Sequence, residues 1–405
     1  MSKRILYINE SLNTGSTGHI VEQLGLAALE RGYECLVAHG ARYVHPTMLP
    51  HYCFSSKMTE YTHGLLSLLY NAHGLGSKMA THRLIRHISQ WKPDIIHLHN
   101  IHGYYINYPI LFDFLRSANI PVVWTLHDCW TVTGRCAHFT ASGCSQWQTQ
   151  CVHCPNYSDY PRSLTTRNTA TNYETKKRTF VGLSNLTIVP VSNWLGDIIA
   201  RSFLQDYPCD VIQNGIDTSL FRPLVSAWRS RWKARNKTVI LGVASQWTSA
   251  KGWNDWMRLA HNLDNRYRIV LVGVSDTQKR QLPDNCFGIK RTDATDELVR
   301  IYSAADIYIN LAHQEAFGLT LMEAMACGTP CISYRTTAIP EITSPDVCTM
   351  VEVGDIDAVI QAIHQAERQF KKQCQETCIQ HVTTRFNQQD KINQYLNLYT
   401  KLLHE

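Results

Sequence analysis

The sequence predicts an α/β protein of two doubly wound domains that face each other across a cleft. Three observations lead there. At 405 residues the chain exceeds one ordinary hydrophobic core and suits two domains of about 150–200 residues. A series of short apolar strands, each running through a loop into a helix, begins at Ile5-Leu-Tyr-Ile8 and begins afresh at Thr238-Val-Ile-Leu-Gly-Val-Ala244. Between the two series lies Asp210-Val-Ile-Gln-Asn-Gly-Ile-Asp217, where Gly215 supplies a flexible joint. The expected domains are residues 1–195 and 210–385, with a closing helix over 386–405 that packs back on the first domain.

Composition narrows the class. Hydrophobic residues make up 44% of the chain and charged residues 18%, which excludes a disordered protein. A net charge of +6 with 19 His fits anionic small molecules or an acidic membrane surface, and nothing calls for nucleic acid. No window holds about 18 uninterrupted apolar residues, so no transmembrane helix is expected. The apolar run after Lys3-Arg4 is too short for a signal peptide, and 14 Cys without one read as reduced thiols in a cytoplasm.

In the first domain, strand Ile5–Ile8 is followed by Asn13-Thr-Gly15-Ser-Thr-Gly18 and a helix over Gly18–Leu29. Such a loop cradles phosphate, walls an acceptor site, or simply turns. Without Gly-x-Gly-x-x-Gly or a following Lys-Ser/Thr it is neither a dinucleotide fingerprint nor a P-loop. Ile95-Ile-His-Leu-His99 is a strand whose loop carries His102. No nearby carboxylate completes a metal site with His97, His99 and His102, and His102 is instead an acceptor-side candidate. Pro121–Leu126 is a further strand ending at His127-Asp128. Ligands of parallel sheets bind beyond the carboxyl ends of the strands, which puts His127 at the site.

Five cysteines follow, at 129, 136, 144, 151 and 154. Cys151-Val-His-Cys154 is a C-x2-C knuckle, and Cys136 and Cys144 supply two more thiolates. That density predicts a structural zinc holding an insertion over about 129–160 that is poor in apolar residues. Disulfides or unpaired thiols are the alternatives, with His138 or His153 able to replace a ligand.

In the second domain, strand Tyr267–Gly273 precedes Cys286–Ile289, whose carboxyl end carries Arg291, a candidate for framing a base. Ala305–Leu311 is a strand, Glu315-Ala-Phe317-Gly318 a loop, Leu319–Ala326 a helix, Gly328-Thr-Pro330 a turn and Cys331–Ser333 a strand. A helix N-terminus offers free N–H groups and a positive dipole end to phosphate. Gly318 would let a diphosphate approach the backbone of Leu319 and Thr320, beside Phe317. Glu323 would accept hydrogen bonds from paired ribose hydroxyls, and Glu315 from the sugar beyond. Asp355-Ile-Asp357 opens a helix, so its carboxylates read as N-caps and not as a metal motif.

Glu315-x7-Glu323 with Gly328-Thr-Pro330 resembles the signature of the retaining GT-B glycosyltransferases of family four. The resemblance implies the GT-B fold, two facing Rossmann-like domains with a cleft. It implies Glu315 and His127 as catalytic residues at the donor sugar, and Glu323 on the ribose. It also implies Lys251 on the diphosphate, with Gln246 standing where the family carries Arg, and Gly15 and Gly18 bordering the cleft. Trp124–Trp130 with Thr133-Gly-Arg-Cys136, Trp147 and Cys151-x2-Cys-Pro155 resembles the colanic-acid type of bacterial exopolysaccharide transferases and strengthens the zinc expectation.

The implied activity is transfer of a sugar, with retention, from a nucleotide diphosphate sugar to a lipid-linked saccharide in bacterial surface polysaccharide synthesis. Fixed dipoles and Lys251 would stabilise the leaving diphosphate without a catalytic divalent ion. The implied location is cytoplasmic, with peripheral contact at the inner membrane. One alternative is a non-catalytic nucleotide-sugar-binding protein, which Gln246 leaves open. The other is a glycoside hydrolase using Glu315 and Glu323. Eight residues of continuous helix would part these by about 12 Å, beyond the roughly 5–9.5 Å of glycosidase pairs.

Overall fold

The computed structural model describes residues 2–404 except 158, 293 and 367. The chain forms two units, Met1–Ile212 with Ile392–Glu405, and Gln213–Lys391.

In the first unit the elements run β1 (Arg4–Asn9), α1 (Gly15–Glu30), β2 (Glu34–His39), β3 (His51–Cys53), α2 (Lys57–Tyr70), α3 (Lys78–Trp91), β4 (Ile95–Leu98), α4 (Tyr108–Ala118), β5 (Val122–Leu126), α5 (Thr169–Phe180), β6 (Leu186–Pro190) and α6 (Asn193–Ile199). The strands pair in parallel in the order β3-β2-β1-β4-β5-β6, with Ile5 opposite Ile95 and Leu126 opposite Pro190. This is the doubly wound order, whose direction reverses between β1 and β4. β4 and β5 are buried at every position, as a parallel sheet covered on both faces requires.

Side chains that compete with the backbone elsewhere start the helices here. Ser56 accepts from the Thr59 N–H to open α2, and Asn107 accepts from the Ile110 N–H to open α4. The first helix begins at Gly15, a turn earlier than the apolar pattern suggests, so Gly15 and Gly18 lie inside it.

The second unit runs α7 (Trp228–Arg231), β7 (Thr238–Val243), α8 (Trp253–Asn262), β8 (Tyr267–Val272), α9 (Asp276–Gln281), β9 (Cys286–Ile289), α10 (Thr295–Ala304), β10 (Ile307–Asn310), α11 (Leu319–Ala326), β11 (Cys331–Tyr334), α12 (Ile339–Ile342), β12 (Cys348–Val351), α13 (Ile356–Gln365) and α14 (Arg368–Arg385). Its parallel sheet has the order β12-β11-β10-β7-β8-β9, the same topology again, with the reversal between β7 and β10. Ile240, Ile269 and Ile307 from the sheet pack with Trp256, Leu259 and Val359 from helices.

The last helix, α15 (Gln388–His404), supplies core to the first unit. Ile392, Tyr395, Leu396 and Tyr399 pack with Ile5, Tyr7, Val21 and Leu24. The Tyr399 hydroxyl lies 2.6 Å from His97 Nδ1, whose Nε2 is 2.8 Å from Thr125 Oγ1, and Thr125 donates to Tyr395. His97 is therefore a hydrogen-bonded core residue.

The expected zinc site is corrected. Among the described residues no group of three or more His, Cys, Asp or Glu is placed to hold a metal ion. All four sulfurs at 136, 144, 151 and 154 are free thiols, and Cys144 stands part exposed while the other three are buried. Cys136 and Cys154 hydrogen-bond to each other. That bond raises the Cys136 thiol well above its usual range and lowers Cys154, which the Arg135 guanidinium also favours as thiolate. Burial pushes the Cys151 thiol up to about 11.

The insertion is held by other means. Buried Arg135 donates to Asn71 Oδ1 at 3.0 Å, to the Asn156 carbonyl at 2.9 Å and to the Pro161 carbonyl. Phe139 stacks on Trp147, and buried Lys176 places its Nζ 3.5 Å from the centre of the Trp130 ring and donates to the Trp130 carbonyl. The segment is not short of packing residues, and a metal has nothing left to organise.

Candidate active site

The loops that leave β7 and β10 flank the second unit's reversal point, where a doubly wound sheet binds ligands. Lys251 comes from the first loop and Glu315 from the second. The Lys251 Nζ donates to Glu315 Oε1 at 2.6 Å. The Glu315 backbone is pinned as well, its N–H donating to Thr337 Oγ1 at 2.8 Å and its carbonyl accepting from the same hydroxyl at 2.6 Å. Asp255 on α8 accepts from His313 Nε2 at 2.7 Å, and the His313 N–H donates to the Ala250 carbonyl. Two bonds thus tie the loops together, and a third ties the second loop to α8.

Gly318 is the N-cap of α11, with φ 104° and no side chain capping the helix. A Cβ there would meet Ile339 Cδ1 at 2.9 Å and Ile342 Cδ1 at 3.0 Å, so both the backbone and the packing require glycine. Leu319 and Thr320 form the first helical turn, both part exposed. Their N–H groups and the aligned peptide dipoles give that end of the helix an affinity for anions.

Glu323, one turn on, accepts from the Tyr302 hydroxyl at 2.8 Å. Burial raises its carboxyl to about 7, against the pull of that hydrogen bond. A carboxylate kept part desolvated beside an open helix end is short of hydrogen-bond donors, which a ribose diol supplies.

Three other expected residues stand apart from this cluster. Phe317 is buried, with its ring edge-on to Phe386, and acts in packing. Gln246 is exposed on the loop after β7. Arg291 is exposed after β9, the outer strand on that side, with β8 between β9 and β7.

In the first unit the loops after β1, β4 and β5 converge. His127 Nε2 lies 3.1 Å from His99 Nδ1, with the two rings stacked. Burial lowers His127 to about 4 despite neighbouring Asp128, so its imidazole is neutral at physiological pH. His102 Nε2 is 3.0 Å from Asp128 Oδ2, and its Nδ1 is 3.2 Å from the Tyr160 hydroxyl. Burial alone would raise Asp128, but His102, with His138 and the Trp130 N–H, outweighs it and holds the carboxyl well below the usual range.

Sequence reasoning missed Glu10, at the carboxyl end of β1. Gly103, with φ 112°, exists because the Glu10 carboxyl occupies the space its Cβ would take, 2.2 Å away. Burial pushes Glu10 up to about 7, opposed by His102 and Arg42. The strand-end rule that selects His127 selects Glu10 too. Gly18 lets α1 lie against this loop, where a Cβ would sit 2.8 Å from Ser11 Oγ, while Gly15 is exposed. Asp255, His313, Tyr302 and Thr337 were also missed, and no sequence motif marks them.

Comparison with known proteins gives the family and the fold. Residues 18–220 match the family described as Glycosyltransferase Family 4, and residues 225–379 match Glycosyl transferases group 1. WcaC of Escherichia coli (strain K12), assigned as a colanic acid biosynthesis glycosyl transferase, is 30% identical over 171 residues, covering 39% of this chain and 40% of its own. Matches to the first such relatives span 30 to 44% of their length.

Among solved structures, sucrose-phosphate synthase of Thermosynechococcus elongatus superposes with a TM-score of 0.74 at 17% identity over 99% of both chains. Anabaena HepE, solved with UDP and glucose, gives 0.68 at 16% identity over 98% of this chain and 99% of its own. These likenesses establish the fold, two Rossmann-like units of the GT-B type.

Proposed function

The chain belongs to Glycosyltransferase Family 4, and from that premise we propose that it transfers a sugar from a nucleotide diphosphate sugar to a saccharide acceptor. The observation that carries this reading is the joint between β10 and α11. An uncapped helix end, a lysine and two glutamates meet at a reversal point of the sheet. The diphosphate lies at the N–H groups of Leu319 and Thr320, with Lys251 as its cation. Glu323 takes the ribose and Glu315 the sugar hydroxyls.

When the bond between the sugar carbon and the phosphate oxygen breaks, its electrons leave on the diphosphate. The helix end and Lys251 stabilise the charge that develops there. His127 is the first unit's candidate for a sugar hydroxyl, since its neutral imidazole hydrogen-bonds without adding a charge. The acceptor is held by the first unit at Glu10, His102 and Asp128; its hydroxyl oxygen forms the new bond to the sugar carbon, its proton leaves with the diphosphate, and the configuration at that carbon is retained. The likeness to WcaC, named for colanic acid biosynthesis, supports a saccharide acceptor in polysaccharide assembly; that this acceptor is lipid-linked, at the inner face of a bacterial membrane, is our extension of that reading.

Incubation with UDP-, GDP- and dTDP-sugars and a lipid-linked saccharide extract tests the reading. Release of nucleoside diphosphate matched by a lengthened saccharide of retained configuration is expected. Release of free sugar at the same rate without acceptor would replace transfer by hydrolysis. Donor binding without turnover would leave a binding protein.

A further inference from the structure

Helix α2 is amphipathic in the reverse of the usual sense. Glu60, His63 and Ser67, at helical spacing, are all buried. The Glu60 carboxylate accepts from the Ala41 N–H at 2.6 Å. His63 Nε2 accepts from the N–H groups of Gly74 and Gly76, both at 3.1 Å, and its Nδ1 donates to Ser77 Oγ at 2.9 Å. The polar side is therefore fixed inward by bonds that no rotation of the helix preserves.

On the opposite side Met58, Tyr61, Leu65 and Leu69 are 76, 64, 54 and 42% exposed. Leu164, 62% exposed, is held beside them by its N–H bond to the Leu68 carbonyl. An apolar stripe three turns long is thus presented outward by a helix whose polar groups point into the protein.

The charge around it selects the partner. Between Glu34 and Asp94 the chain carries Arg42, Lys57, Lys78, Arg83, Arg86 and Lys92, and its one acid, Glu60, is buried. The Arg42 guanidinium lies 5.7 Å from the centre of the Tyr61 ring but faces the buried Glu60 carboxylate at 4.0 Å, so the cation at the margin of the stripe is Lys57, exposed at the start of α2. Among the described residues no helix is long and apolar enough to cross a membrane. An apolar stripe on a 14-residue helix, carried by a segment whose exposed charges are basic, matches a bilayer interface with acidic headgroups, where the helix lies flat and cations meet phosphates.

We infer that α2 docks the protein on an anionic lipid surface, with the Met58–Leu69 stripe seated among the acyl chains and Lys57 at the headgroups. This deepens the lipid-linked acceptor reading above and rests on it for the purpose of the contact.

Cosedimentation with vesicles of phosphatidylcholine, with and without phosphatidylglycerol, tests it. The full chain is expected to bind the anionic vesicles, to weaken as salt rises, and to leave neutral vesicles largely unbound. The pair Leu65→Glu with Leu69→Glu is expected to lower the partition at least about tenfold. Its melting temperature and the shift produced by UDP-glucose should stay unchanged, since both positions are exposed. Equal partition of parent and variant would overturn the inference. So would absence of vesicle binding, or a dimer by sedimentation velocity that the same variant abolishes. Failure of vesicle binding with a nucleotide-sugar shift intact removes the docking surface alone, whereas absence of a shift with every one of the UDP-, GDP- and dTDP-sugars in the parent removes the donor reading.

Discussion

Glu323 shows most plainly how a single residue is set for a ligand. Its carboxyl rises from an ordinary 4.5 to about 7 because burial opposes its charge. The sign follows directly. In the unfolded chain the group ionises from about 4.5, while in the folded chain it keeps its proton until about 7, so stability falls across that window. The loss is at most about 3 kcal/mol. Glu323→Gln, which cannot ionise, should melt progressively higher than the parent between pH 4.5 and 7, with a constant difference above. A gap that does not change with pH would show that the carboxylate is not strained. Lys251 and Glu315 behave differently. A part-exposed pair contributes about 0–1 kcal/mol to folding, so Lys251→Ala should barely shift the melting temperature. It should weaken UDP-glucose binding at least about tenfold, as loss of a charge-assisted phosphate contact does. Titration calorimetry beside a thermal melt separates the two effects.

At the scale of elements, the strand-loop-helix joint between β10 and α11 is the unit of function. Its conformation depends on Gly318, where φ 104° and two isoleucine methyls leave no room for a side chain. Gly318→Val should cost more than about 1 kcal/mol by chemical denaturation and abolish donor binding, whereas the exposed Gly15→Ala should leave the donor affinity unchanged. The cysteine-rich insertion teaches the opposite lesson. Spacing in a sequence counts sulfurs, but it does not show that Cys136 and Cys154 bond to each other or that Arg135 and Lys176 occupy the polar interior. A chelator such as EDTA should therefore leave the melting temperature unchanged, and the protein as isolated should carry no stoichiometric zinc by elemental analysis. One zinc per chain with a fall in melting temperature on chelation would reverse the correction.

Across the whole molecule, both Rossmann-like units are legible because parallel strands buried on two faces must be continuous apolar runs. Those runs are visible at Ile95–Leu98, Val122–Leu126 and Thr238–Val243. The loops after the strands are legible by the same rule, which is why Glu315 and His127 stand out, whereas Lys251 stands out only through the family resemblance. What joins them is not. Lys251 and Glu315 are 64 residues apart, and neither motif shows that they meet. Glu10 has no motif at all, and its setting appears only once Gly103 lies against it. The reversed polarity of α2 is equally hidden, because an apolar stripe reads as a core face until its burial is known.

Long-range closure of the first unit comes from α15, through Tyr399 on His97. Tyr399→Phe leaves a buried imidazole nitrogen unpaired and should cost about 1–3 kcal/mol by denaturant titration, with donor binding unaltered.

The central claim is that an anionic leaving group sits where β10 turns into α11. Crystals soaked with UDP-glucose test it most directly. The account predicts phosphate oxygens within about 3 Å of the Leu319 and Thr320 nitrogens, with the ribose hydroxyls on Glu323. Nucleotide density elsewhere in the second unit, with that helix end left to solvent, would contradict it.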